Sequence, residues 1–365
     1  MRRRIVYLIT ACKNRGPINQ TLNIIKNLDY DVFEPFLITI YPEENESLLE
    51  MYLPFVKHFF VPTSKVEIIL GQDKALRRKL DEVRPDVIHS LGVFPDYAVS
   101  KMKKWKQVIT LRNYVYDDFP AKFGKVKGSI LAWIHLYAMK HTTKTVTCSE
   151  SLARIYKDRL GLSFDFIRNG VDIDVFEKAN TDNKISIKEE LGIPKDAFVY
   201  VYTGQMIERK NVGFLLDAFS SLIDSNAILL LLGDGPLLSG YRTKYADKRH
   251  IIFLGNVNNV QHYLKACDAY VTTSKSEGLP NGVLEAMATG LPVVMSDIDQ
   301  HQEIYNVDKR IGFVYKQDDP QSLIHALESI RNNTSQMSEA AYESAHNNFS
   351  AQKMGKQYQS IYLQL

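Results

Sequence analysis

Short runs rich in Val, Ile, Leu, Phe and Tyr recur along the 365-residue chain, with stretches of helical spacing between them. In the front half they are "IVYLIT" (5–10), "FLITIY" (36–41), "HFFVP" (58–62), "DVIHSLG" (86–92), "QVITLR" (107–112), "KTVTCS" (144–149) and "FDFIRNG" (164–170). In the back half they are "AFVYVYTG" (197–204), "AILLLLGDG" (227–235), "HIIFLG" (250–255), "AYVTTS" (269–274) and "PVVMSD" (292–297). Many are apolar without interruption, so both faces of the strand must be covered. That is the condition of parallel strands lying under helices. Strand–helix alternation assembles such sheets from βαβ units. At roughly 100–200 residues per domain, the length suits two of them. The alternation breaks once, in the polar stretch 173–195, "IDVFEKANTDNKISIKEELGIPK". The expected architecture is therefore α/β: a Rossmann-like domain over 1–172, a linker over 173–195 and a second Rossmann-like domain over 196–348. A helix over 349–365 follows, with Phe349, Met354, Tyr358, Ile361 and Tyr362 spaced for one apolar face. Two doubly wound domains facing each other make a cleft.

Several classes of function drop out. No apolar run approaches the roughly 18 residues of a membrane span. The opening "MRRRIVYLIT" reads as a first strand behind a basic tip, not as a signal peptide. Cys12, Cys148 and Cys267 are distant, odd in number and form no CxxC. Neither a disulfide framework nor a metal site is expected, and a reducing cytoplasm fits. HExxH and GxSxG are absent as well. The net charge of +3 is unevenly spread: residues 1–170 hold 27 Lys/Arg against 18 Asp/Glu, whereas 171–365 hold 18 against 24. Nucleic acid is not an expected partner. The basic front half does carry "SKMKKWKQ", with Lys101, Lys103, Lys104, Trp105 and Lys106, then Lys122, Lys125, Lys127 and "SILAWIHLYAM". Such a pattern suits contact with an anionic membrane, and equally a solvated basic face.

In open α/β sheets, ligands bind outside the carboxyl ends of the strands, so loops after strands are the places to look. The most informative is "SEGLPNGVLEAMATGLPVV" (276–294), which carries Glu277 and Glu285 on either side of a helix start at Pro280, Asn281 and Gly282. The backbone N–H groups from Gly278 through Leu279 to Val283 suit a phosphate. The two carboxylates suit hydroxyl pairs on either side of it. A plain βαβ crossover with surface acids is the competing reading. A second loop, in "YTGQMIERKNVGFLLDAF", holds Gln205, Arg209 and Lys210, with Asn211 as a candidate cap. Two cations beside a helix start clamp a diphosphate. A third, "ITACKNRGPINQTLNII", gives Gly16 and Pro17 as a turn and Asn19 at a helix start. It lacks GxGxxG, so a dinucleotide fold is not supported.

Taken together these stretches resemble the retaining glycosyltransferases of family 4, which have the GT-B fold. "EGLPNGVLEAMATGLPVV" looks like that family's E-x7-E motif, and "RPDVIHSLG", "IRNGVD", "TGQMIERKN", "GDGPL", "FLGNV" and "CDAYVTTSKSEG" match in order. The resemblance implies a C-terminal domain for a nucleotide diphosphate sugar, with a UDP-sugar the expected donor, and an N-terminal domain for a glycan or lipid-linked acceptor. It implies that Glu277 contacts donor-sugar hydroxyls and Glu285 the ribose. Lys210 neutralises the leaving diphosphate, Val257 lies near the base, and the last helix crosses back to the first domain. No cofactor or metal is needed if these charges suffice. Two positions depart from the family: Gln205 stands where Arg is frequent, with Arg209 as a possible substitute, and Arg112, followed by Asn113, stands where His is frequent. The implied activity is that of a hexosyl- or N-acetylhexosaminyltransferase in surface or capsular polysaccharide synthesis, acting in the cytoplasm at the inner face of the plasma membrane. An NDP-sugar epimerase and a silent glycan-binding scaffold are the alternatives.

Overall fold

The computed structural model describes residues 2–44, 47–178, 180–222 and 226–365, the side chains of 181 and 182 aside. Its apolar runs assemble into two sheets in which every pairing is parallel. The first contains β1 (Arg3–Ile9), β2 (Phe33–Thr39), β3 (Lys57–Phe60), β4 (Val87–Leu91), β5 (Lys106–Leu111), β6 (Lys144–Thr147) and β7 (Asp165–Phe166). The second contains β8 (Phe198–Thr203), β9 (Ala227–Leu232), β10 (Ile251–Gly255), β11 (Ala269–Thr272), β12 (Val293–Ser296) and β13 (Gly312–Tyr315). Their orders are β3-β2-β1-β4-β5-β6-β7 and β10-β9-β8-β11-β12-β13. Both are doubly wound: the chain runs outward one way, then returns to the middle and runs outward the other way. Central strands are apolar on both faces because helices cover both. Ile5 to Ile9 of β1 and Val199 to Tyr202 of β8 are fully buried.

The expected parallel α/β architecture is borne out, with two local differences. β13 was not among the expected strands; it has four residues, two of them only partly covered, and lies at a sheet edge. Its first residue, Gly312, sits so close to β12 that an added Cβ would lie 2.0 Å from the Val293 carbonyl oxygen. The run 164–170 shortens to β7, whose two residues are exposed at the other edge.

Contacts divide the chain into two compact units, Met1–Asn169 with Ala351–Leu365, and Gly170–Ser350. The polar stretch 173–195 carries the helix Thr181–Glu190. Its buried Lys188 donates to the Ala197 carbonyl at 2.7 Å. Lys184 and Lys188 both pair with Asp268, which also accepts the Val199 N–H of β8 at 2.8 Å.

The last helix, Ala351–Gln364, belongs to the first unit and seals a buried polar cluster there. His89 on β4 bonds Tyr362 Oη through Nδ1 at 2.6 Å and Thr110 Oγ1 through Nε2 at 2.9 Å. Thr110 reaches Tyr358 Oη at 2.9 Å, and Tyr362 reaches Tyr7 Oη at 3.2 Å. These groups are satisfied by one another, as burial requires. The helix can approach because Gly355 has no side chain: a Cβ there would lie 2.7 Å from Asn27 Cβ. Gln359 clasps the same turn, donating to the Asn27 carbonyl at 3.0 Å and accepting the Asp29 N–H at 2.9 Å.

Burial holds His89 neutral, pushing its pKa down to about 3. Between about 3 and the ordinary histidine value the unfolded chain binds a proton that the folded one does not, so stability falls as pH falls through that window. The expected outcome is a stability–pH slope steeper in the wild type than in His89→Gln by up to about 1.4 kcal/mol per pH unit. Denaturant titrations between pH 4 and 7 measure it; equal slopes would show that His89 titrates alike in both states.

Candidate functional site

In the second sheet β8 and β11 are neighbours, yet the chain leaves them toward opposite edges. Loops leaving the carboxyl ends of such a pair diverge and open a crevice between them. Here the two loops are also stitched together. The Lys275 N–H donates to the Arg209 carbonyl at 2.8 Å, and the Thr273 hydroxyl bonds the carbonyls of Lys210 and Asn211 at 3.1 and 2.9 Å. Side chains complete the seam. Glu277 accepts from Lys210 Nζ at 2.5 Å and from Arg209 Nη1 at 3.0 Å, while Arg209 also donates to the Ser276 carbonyl.

Glu277 is 8 % exposed. Burial works against its charge, but Lys210 and then Arg209 outweigh it and hold the carboxyl well below the ordinary carboxylate range. Two cations thus surround one permanent anion, leaving an excess positive charge where the loops meet. Glu285, a turn inside the helix Asn281–Ala288, is in the opposite condition. Burial pushes its carboxyl up to about 7, and Lys210 pulls it back only in part. Among the described residues no ion pair or hydrogen bond is made to its carboxylate.

Two glycines set the close approaches. A Cβ on Gly282 would lie 2.5 Å from Tyr270 Oη and 2.6 Å from Thr203 Oγ1, so the start of that helix presses directly on the ends of β8 and β11. Gly233, at φ +134°, brings the "GDGPL" loop to the end of β8: a Cβ there would lie 1.9 Å from the Gly204 carbonyl oxygen. That loop is then knitted to Met206, whose N–H donates to the Asp234 carbonyl at 2.9 Å and whose carbonyl accepts the Leu237 N–H at 3.1 Å.

A residue the sequence reading did not single out lies behind Glu277. His301, fully buried, approaches the Ser296 carbonyl and hydroxyl through Nδ1 at 2.9 and 3.0 Å. Ser296 Oγ donates to the Ser274 carbonyl at 2.7 Å, and the Ser274 side chain bonds Glu277. Burial pushes His301 down to about 4, so its ring is neutral, and its Nε2 has no hydrogen-bond partner among the described residues. The signal in the sequence is a histidine just after a strand end, in "VVMSDIDQHQE".

The remaining expected site residues fall into two sets. In the second unit Gln205 is exposed, with its carbonyl accepting Tyr202 Oη at 3.1 Å, and Val257 is partly covered in the loop after β10. Leu279 and Val283 are buried, and Gly278 and Asn281 complete the approach to the helix. Asn211 does not cap with its side chain: it sits at φ +53°, turned by the 3-10 segment Glu208–Lys210 before it. In the first unit Gly16 and Pro17 are not a turn before the helix but its first residues, with Asn19 in the same turn of Gly16–Lys26. This helix follows β1, whose partner β4 marks the first sheet's own switch point. Arg112 and Asn113 follow β5. Arg112 donates to Asn169 Oδ1 and its buried Nε has no partner among the described residues, while the Asn113 carbonyl accepts Tyr156 Oη at 3.0 Å. No three His, Cys, Asp or Glu side chains among the described residues are grouped to hold a metal ion.

Comparison with known proteins agrees with this arrangement on both halves of the chain. The family described as "Glycosyltransferase Family 4" matches residues 18–175, and that described as "Glycosyl transferases group 1" matches residues 197–333. The chain is 28% identical to the UDP-Gal:alpha-D-GlcNAc-diphosphoundecaprenol alpha-1,3-galactosyltransferase of Escherichia coli, over 80% of each chain. It is 28% identical to the putative teichuronic acid biosynthesis glycosyltransferase TuaC of Bacillus subtilis, over 78% of this chain and 72% of that one. Anabaena HepE in complex with UDP and glucose superposes with a TM-score of 0.82 at 18% identity, over 100% of both chains. With two doubly wound parallel sheets of this topology, and with each half matched by its own family, the chain belongs to the family 4 glycosyltransferases of the GT-B fold.

Proposed function

We propose that the chain moves a hexosyl or N-acetylhexosaminyl group from a UDP-sugar to a glycan or lipid-linked saccharide, with retained anomeric configuration, during synthesis of a surface or capsular polysaccharide. The observation that carries this reading is the pairing of Glu277 with both Lys210 and Arg209 at the switch point, beside a helix start and the raised carboxyl of Glu285. The relatives support the donor and acceptor classes. One is named for transfer from UDP-Gal to a diphosphoundecaprenol-linked sugar, and the structural neighbour holds UDP and glucose. The cytoplasmic face of the membrane, where a lipid-linked acceptor is reachable, is the proposed site of action.

The chemistry follows from charge. As the glycosidic bond to the diphosphate breaks, negative charge builds on the leaving oxygens. Lys210 and Arg209 stabilise that charge more than the ground state, which is the requirement for acceleration. The start of the helix Asn281–Ala288 contributes its dipole in the same sense. Glu277 holds the two cations in place and presents its carboxylate to donor-sugar hydroxyls. Glu285 accepts from the ribose diol, and Val257 lines the base. No protein nucleophile is assigned, so the acceptor hydroxyl attacks from the face the diphosphate leaves, and the departing phosphate oxygen takes up its proton. Gly16, Pro17, Asn19, Arg112 and Asn113 are proposed to face the acceptor.

Incubation with a panel of nucleotide sugars, with and without lipid-linked acceptor, tests this by release of nucleoside diphosphate. Lys210→Ala is expected to lower kcat by roughly 100- to 1,000-fold, in line with loss of one oxyanion-stabilising group, and to change donor KM less. Donor binding without release in the wild type would identify a silent binding protein. Sugar conversion without release would identify an epimerase.

Glu285 gives two linked expectations. If its carboxylate takes the ribose hydroxyls, the ionised form is the one that binds, and donor affinity should weaken about tenfold from pH 8 to pH 6. Glu285→Gln should flatten that profile in calorimetric titration of UDP. The same substitution should stabilise the ligand-free protein. A carboxyl raised on folding binds a proton the unfolded chain has lost, so stability falls as pH rises from the ordinary glutamate value toward 7. At pH 8 the gain should be on the order of 1–2 kcal/mol. Weaker binding with unchanged or lower stability would mean that Glu285 is structural.

A further inference from the structure

We propose that Arg112 sets acceptor specificity: its guanidinium takes an acidic oxygen group, a carboxylate or a phosphate, carried by the acceptor. The inference rests on the transferase reading for the ligand's being an acceptor, and it names that ligand's chemical class. Thr110 lies on β5 and Arg112 just past its end, two residues on, where strand alternation returns a side chain to the same face. Thr110 points into the buried cluster, toward His89 and Tyr358. Arg112 lies over that cluster, and its charge is felt at His89, Tyr358 and Tyr362. It is felt also at the buried Tyr52, whose hydroxyl donates to the Ile18 carbonyl at 2.6 Å in the first turn of the helix after β1. The cation thus stands at the carboxyl end of the first sheet, where folds of this kind bind ligands.

The protein gives this cation no counter-ion. A guanidinium has five N–H bonds and no acceptor. Arg112 commits Nη1 to Asn169 Oδ1, and among the described residues it pairs with no carboxylate. Its Nε is buried and has no hydrogen-bond partner among those residues. Other arginines of the same unit are treated differently: Arg4, Arg77 and Arg159 pair with Glu34, Asp73 and Asp117. A buried charged donor without an acceptor is costly to keep, so its presence at a strand end points to a ligand. The side chain is also held still. Asn169 is 4% exposed, and its N–H donates to the Cys148 carbonyl at 3.3 Å. An amide oxygen orients the guanidinium without neutralising it, and the charge stays available.

Charge and shape then choose the ligand. A guanidinium is permanently protonated and planar, and its fork matches the paired oxygens of a carboxylate or a phosphate. With Nη1 turned to Asn169, the edge of Nη2 and Nε is the one left to take them. Neutral sugar hydroxyls would accept a hydrogen bond but leave the charge uncompensated. Two kinds of acceptor carry the required group: a glycan ending in a hexuronic acid, and a saccharide linked to lipid through phosphate.

The test reads binding rather than turnover. The full chain is titrated calorimetrically, with UDP saturating so that a diphosphate probe does not compete for the proposed donor site. Octyl glucuronide against octyl glucoside varies the carboxylate. Decyl-diphospho-N-acetylglucosamine against decyl N-acetylglucosaminide varies the phosphate. One acidic probe should bind at least about tenfold more tightly than its neutral partner, in line with hydrogen bonds to a charged group, and the pair that shows this names the source. Arg112→Gln should remove the preference, a loss of roughly 10- to 100-fold for the acidic probe. Arg112→Lys should keep part of it, as a point charge without the fork. An Arg112 that merely holds Asn169 would, when replaced, weaken acidic and neutral probes by the same factor. That result would overturn the proposal, as would equal binding of acidic and neutral probes by the wild type, or an acid preference that survives in Arg112→Gln. The wild-type comparison stands even where a variant does not fold. Release of nucleoside diphosphate with no acid preference would leave the transferase reading standing and this inference fallen. An acid preference abolished by Arg112→Gln, without release, would do the reverse.

Discussion

Everything at the proposed donor site hangs on one ion cluster, in which the carboxylate of Glu277 is held between Lys210 and Arg209. Buried charge is expensive, and an isolated carboxylate at that depth would take up a proton. With two cations it stays ionised, and in return it fixes two flexible side chains in one place. The cluster also joins the loops after β8 and β11, so the two central strands of the sheet end in a single, shared surface. The other bonds across the seam do not account for it: the Thr273 hydroxyl and the Lys275 N–H set the loops' path, but the cluster sets where charge is presented.

The two acids eight positions apart are therefore not equivalent. Glu277 is neutralised by the protein and stable in its charge. Glu285, raised to about 7, is left without such compensation. A group held in an unfavourable state by its own fold is a reserve that a ligand can release, and strained or destabilised groups of this kind concentrate where proteins act. The neutral ring of His301 and the serines between it and Glu277 give the ionised acid a rigid backing.

Much of this was legible in the chain. Short uninterrupted apolar runs alternating with helical stretches pointed to parallel strands covered on both sides, and the glycines after them marked the loops. The acids and bases at strand ends marked the proposed site, because few other positions in such a fold face a ligand. What stayed hidden was of three kinds. Short edge strands such as β13 carry too little apolar signal to be seen. Tertiary roles of single polar residues, such as His89, depend on neighbours as far as hundreds of positions away. The apolar stripe of Val126, Ile130 and Trp133 was visible as hydrophobic residues, but only the packing shows which side of the helix the protein keeps and which it leaves outside.

The last helix has a consequence for synthesis of the protein. Tyr358 and Tyr362 supply the hydroxyls that satisfy His89, Thr110 and Tyr7, and the stretch that holds them comes after the whole of the second unit in the chain. The second unit, Gly170–Ser350, is contiguous and is complete before that stretch is made. The first unit, though begun earlier, waits with a polar gap in its core until that helix is made. Order of translation and order of completion are thus reversed, and the helix Ala351–Gln364 is what closes the amino-terminal half.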